Sequence, residues 1–244
     1  MKSQITIKKI QDLLIKGVQT THVDDDTSRR MWWASLEVIQ KDFLSHNYKN
    51  GGIWVASPLP TFNDKKFFNH LHGWLWSPEG FPYFQNEYAG FLPINNSDKI
   101  KKDLDLIRNY KVLSLCQEDG YEPFLMIITP DFQCILSIIG EKDKKILLMK
   151  CDEESLKIAI ELIHAKLNQE NYEEGIKFRN AINNLGNLKI NDQFEKNFWP
   201  ILSAKLAKLG SNHNIQNSIK NDKKNEQITE AKLLRAISHE VRTP

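Results

Sequence analysis

The feature that most constrains the fold is a set of four short apolar segments between residues 111 and 151. Val112–Cys116, Phe124–Thr129, Phe132–Ile139 and Ile146–Cys151 are rich in β-branched and aromatic residues, the composition of strands. Only Thr129-Pro130-Asp131 and the stretch from Gly140 to Lys145 separate the last three. Connections this short imply antiparallel neighbours, because a parallel pair needs a crossover of a dozen or more residues. Glu153–Leu167 follows, with Leu156, Ile158, Ile160, Leu162, Ile163 and Leu167 placed to give a helix that covers the sheet. The expected fold class is α+β: an antiparallel sheet flanked by helices, spanning residues 1–170.

Upstream, residues 4–16 space Ile5, Ile7, Ile10, Leu13 and Leu14 as a helix. Asp26 or Thr27 is placed to cap a second helix over about residues 29–46, which carries Trp32, Trp33, Leu36 and Phe43. Gly51-Gly52 breaks the chain, and Ile53–Ser57 reads as a strand ended by Pro58 and Pro60. Residues 61–92 are aromatic-rich with interleaved Gly and Pro, and helical spacing returns over Ile100–Ile107. Downstream, Tyr172–Leu185 and Phe194–Leu209 read as helices, the second kinked or divided at Pro200. Residues 171–210 are thus a helical connector. Residues 211–225 form a polar linker, and residues 226–244 begin a further helix.

Composition narrows the function classes. The 244 residues are 41% hydrophobic and 26% charged, with a net charge of +2, so no strong field favours nucleic acid or an anionic membrane. No apolar run approaches the roughly 20 residues of a membrane-spanning helix, and the N-terminus lacks a signal-peptide core. A cytoplasmic protein is expected. The three cysteines, Cys116, Cys134 and Cys151, are too few and too widely spaced for a disulfide framework.

The C-terminal stretch, EAKLLRAISHEVRTP, carries the chemistry. At about 100° per residue, Leu233, Leu234, Ile237 and Val241 share one helical face, and His239 falls opposite them. The imidazole is therefore expected to face solvent while the helix buries its other side. Ser238 to Pro244, SHEVRTP, resembles the H-box of two-component sensor histidine kinases of the HisKA type, and Leu233-Leu234 matches the apolar pair that precedes that box. The resemblance covers 15 of the 244 residues.

The resemblance implies a set of roles. His239 is the phosphoacceptor, attacking through a neutral ring nitrogen, which its ordinary pKa of about 6.5 permits at cellular pH. Glu240 accepts a proton from the ring or orients it. Thr243, one turn on, positions water for dephosphorylation of a response regulator. The helix dimerises into a four-helix bundle. ATP and Mg²⁺ are the family's cofactors, but these 244 residues hold neither the second bundle helix nor an ATP-binding domain. They are expected to be inactive as a kinase alone, whether as a fragment or as a natural truncation. A stand-alone binding or regulatory module with an inert H-box is the alternative. In texture, IWVASPLP followed by a Trp-rich segment and TPDFQCILSIIG resembles the DICT- or GAF-like sensory domains of soluble cyanobacterial-type kinases.

Three further sets have both a functional and an ordinary reading. Cys116, Cys134 and Cys151 can ligate an iron–sulfur cluster or be core residues. His70 and His72, with Asp64 as a third ligand, can hold a metal or none. Trp74, Trp76, Phe81, Tyr83 and Phe84 can line a ligand pocket or pack a core or dimer surface.

Overall fold

A computed structural model describes residues 6–18, 21–45, 50–58, 67, 70–78, 110–186 and 193–209. Two compact units divide the chain, Met1–Pro200 and Ile201–Pro244. Residues 201–209 of the second are helical; the first contains everything that follows.

Helix α1 (Ile7–Leu14) buries Ile7, Ile10 and Leu14. Helix α2 (Asp25–Val38) widens into a π-helical turn over Ile39–Leu44. Its cap is Asp24, not Asp26 or Thr27: the Asp24 carboxylate accepts the Thr27 N–H at 2.6 Å. The run Asp24-Asp25-Asp26-Thr27 offers several capping side chains, and Asp24 places the other two aspartates in the first turn, where the helix dipole favours negative charge.

Six strands follow: β1 (Gly52–Ser57), β2 (Leu71–Ser77), β3 (Tyr110–Ser114), β4 (Phe124–Ile128), β5 (Gln133–Glu141) and β6 (Lys144–Lys150). They form one sheet in the order β3-β2-β1-β4-β5-β6. The α+β class expected from the sequence is present, and β4, β5 and β6 are antiparallel neighbours. The sheet as a whole is mixed, because β1–β2 and β2–β3 are parallel. The segments between those strands are long enough for crossovers, so the short-turn argument holds only for β4 to β6.

Both faces of the central strands are covered, while edge strand β3 is largely exposed. One set of alternating residues, including Ile53, Val55, Trp74, Trp76, Met126 and Ile135, clusters with α1 and with two later helices, α3 (Glu153–Glu170) and α4 (Tyr172–Leu185). The alternate set, including Trp54, Leu125, Ile127 and Leu136, is equally buried. On that side α2 packs on β6, and Phe43, Phe132 and Phe194 form an aromatic cluster. β1 is therefore buried at every position, as expected for a central strand with both faces covered. Residues 193–200, the last of the first unit, are helical.

A buried polar network ties α1 to the core. Asp119 accepts the Thr6 N–H at 2.6 Å and the Lys8 N–H at 3.2 Å, satisfying donors at the start of α1. Its second oxygen accepts from Lys166 of α3 at 3.0 Å, and both side chains are almost fully buried.

A cleft between the sheet and helix α4

Strand alternation puts His72, Trp74 and Trp76 on the helix-facing side of β2. Both indoles donate to carboxylates: Trp76 Nε1 to Glu170 at 2.8 Å and Trp74 Nε1 to Glu174 at 3.0 Å. The acceptors are four residues apart across the α3–α4 junction, where Asn171 caps α4 by accepting the Glu174 N–H at 3.3 Å. The edge of the Trp74 ring also meets Phe178, with centroids 5.2 Å apart. Two tryptophans thus fix where α4 leaves the sheet.

Beyond Trp74 the helix and the sheet enclose a cleft of about 770 Å³. Its floor includes Ile53, His72, Trp74 and Lys111; its wall carries Lys177, Asn180 and Asn184 of α4. Parallel register sets Ile53 beside His72 and Trp74 beside Lys111, so four positions from three strands share this floor. Two glycines leave room for close neighbours here. A Cβ on Gly52 would lie 2.7 Å from the Ile128 carbonyl oxygen, and one on Gly73 would lie 2.2 Å from the Trp54 indole. Trp54 lies across Gly73 on the opposite face and reaches the Tyr110 ring, with centroids 5.3 Å apart.

Among the described residues that line the cleft, Glu174 is the sole carboxylate. Burial pushes its pKa up, but hydrogen bonds from Lys177 and Trp74 and the charges of Lys177 and Lys111 together outweigh that and hold it below the usual glutamate value. Lys177 Nζ sits 2.7 Å from the carboxylate. The cleft can therefore present donors and cations to a bound molecule while its own acid stays ionised and paired.

His70 and His72 line this cleft; Asp64 lies outside the described residues. Among those described, no three His, Cys, Asp or Glu side chains converge as a metal-ligating set. Trp74 lines the cleft, Trp76 is fully buried in the core, and Phe81, Tyr83 and Phe84 lie outside the described residues. The cysteines are not gathered. Cys116 follows β3, with β2, β1 and β4 between that edge and β5, which carries Cys134. Cys116 donates to Glu118 at 2.5 Å. Cys134 and Cys151 are buried next to each other, one register step beyond the Ile135–Lys150 pair. Burial raises the Cys134 thiol pKa well above the ordinary value. It pushes Cys151 to about 12, with the charges of Glu195 and Asp152 adding to the rise. Both are protonated at neutral pH and are poor nucleophiles.

His239, Glu240 and Thr243 lie outside the described residues. Sequence reasoning missed Lys111, Glu174 and Lys177. The available signal was Glu174 itself, four residues before Phe178 and so on the apolar face of its helix, where a carboxylate needs a partner.

The family model for the domain of unknown function DUF8628 matches residues 8–211. The chain belongs to the DUF8628 family. No curated protein and no solved structure matches it. The DUF8628 match takes in the sheet, its covering helices and the cleft, and it ends ahead of Ser238–Pro244.

Proposed function

We propose that the chain is the sensory region and the first phosphoacceptor helix of a two-component sensor histidine kinase acting in the cytoplasm. The observation that carries this reading is the sequence SHEVRTP at Ser238–Pro244, preceded by Leu233-Leu234. The apolar face formed by Leu233, Leu234, Ile237 and Val241 gives such a helix a surface for dimerisation, with His239 on the opposite side. The DUF8628 domain supports a sensory role by its position: it ends at residue 211, upstream of the box.

In this reading a ring nitrogen of His239 attacks the γ-phosphorus of ATP. The N–P bond forms, the P–O bond to ADP breaks, and Glu240 takes the ring proton. The phosphoryl group then passes to an aspartate of a response regulator, and in the opposing phosphatase reaction Thr243 positions the water that hydrolyses that aspartyl phosphate to release inorganic phosphate. The test supplies a histidine-kinase catalytic domain in trans with radiolabelled ATP. Acid-labile, alkali-stable label on the wild-type chain and none on His239→Gln is the expected result. Equal label on both rejects the assignment, and no label on either favours a binding module without phosphotransfer.

A further inference from the structure

We infer that the cleft between β1–β3 and α4 binds a small organic anion, with a phosphate or carboxylate head held by Lys111, Lys177 and the side-chain amides of Asn180 and Asn184, and an apolar body against Ala181 and Leu185. This rests on the cleft alone and stands independently of His239.

The charge balance decides the sign of the ligand. Two lysines, two histidines and two α4 asparagines line the cleft, against one carboxylate. That carboxylate is already engaged by the Trp74 indole and by Lys177. Lys111 stands beside Trp74 in register, on the sheet side of the cleft, so cations approach the space from both walls. Charge-assisted bonds from such donors are stronger than neutral ones, and an anionic head satisfies them directly. Asn180 and Asn184 are four apart on α4 and face the same space, so their amides form a second pair of donors one turn apart.

Size decides the rest. A volume of about 770 Å³ falls within the range of small-molecule sites, about 300–1,000 Å³, and far exceeds what a lone inorganic ion fills. Ala181 and Leu185, both partly exposed, supply apolar surface for the remainder, to which the largely buried Trp74 adds little.

The test uses the full chain with phenyl phosphate and benzoate as the two anionic probes and benzyl alcohol as the neutral control. Binding is followed by two-dimensional ¹H–¹⁵N NMR at the Trp74 indole N–H and the Asn180 and Asn184 side-chain amides. Saturable shifts at those groups with at least one anion, and none with the alcohol, are expected. The stronger of the two anions identifies the head group. Lys111→Gln is expected to weaken binding roughly tenfold or more, the loss of one charge-assisted contact. Glu174→Gln, which keeps an acceptor for Trp74 and removes the opposing charge, is expected to tighten it severalfold. A purely structural role for these residues predicts no such opposite effects. Absence of saturable shifts with either anion, or equal affinity for the alcohol, overturns the inference. So does an affinity unchanged in Lys111→Gln with native-like spectra.

Discussion

The indole N–H of Trp74 on β2 donates to the Glu174 carboxylate on α4 across 3.0 Å, at a distance of 100 residues in sequence. Together with the Trp76–Glu170 bond, this contact fixes where α4 leaves the sheet, at the inner end of the cleft. Glu174→Ala leaves a buried indole donor without its acceptor, a loss of about 1–3 kcal/mol. In that background Trp74→Phe is expected to cost much less than in the wild type, because the shared bond is already gone. Chemical denaturation of the four proteins in the cycle measures the coupling. The pH dependence follows from the sign of the Glu174 shift. Its folded-state pKa lies below the ordinary value of 4.5, so its stabilisation is complete above that value and is lost as pH falls through the folded one. Glu174→Gln should flatten the melting-temperature curve on the acid side of pH 4.5 and leave the curve's shape near neutrality unchanged.

Lys166 and Asp119 form a buried ion pair, with Glu170 3.3 Å from the same ammonium. Lys166→Met removes the charge opposite a buried carboxylate that also holds the start of α1. The expected destabilisation is about 3–5 kcal/mol. Adding Asp119→Asn should recover part of it, since the neutral amide oxygen still accepts the Thr6 N–H. Urea midpoints of the single and double variants decide the point; a double variant as unstable as the sum of both singles rules out the pairing as the cause.

Gly73→Ala places a methyl group 2.2 Å from the Trp54 indole, inside the core rather than at a flexible tip. Overpacking of this kind costs about 1–3 kcal/mol. Trp54 must swing away from its tilted contact with Tyr110, so a shift of the near-ultraviolet circular dichroism should accompany the loss of stability. An unchanged spectrum with unchanged stability would show that Trp54 does not cross Gly73.

The hairpins β4–β5 and β5–β6 were legible because their pairing is local. Apolar segments separated by a few turn residues leave little choice of neighbour, and Tyr172–Leu185 was legible to the residue because Asn171 starts it and Gly186 stops it. The parallel β1–β2–β3 half was not legible. Its partners are joined by long segments, and no periodicity within Ile53–Ser57 or Val112–Cys116 says which strand lies beside which. Asp24 was missed as a cap because three consecutive aspartates satisfy the same local rule. The burial of Lys166 was missed for a different reason: a lysine among α3 residues reads as solvated until Asp119, 47 residues away, is brought to it.

The sequence by itself determined the α+β class and the helices and strands with local start and stop signals, and the proposed phosphoacceptor reading rests on the consecutive residues of SHEVRTP alone. Tertiary structure alone decided the mixed sheet, the buried Lys166–Asp119 pair and the cleft. Each of these joins residues from distant parts of the chain. Local propensity acts over a few residues, while long-range contacts form only where burial and charge compensation across the whole fold outweigh the entropy of bringing the segments together.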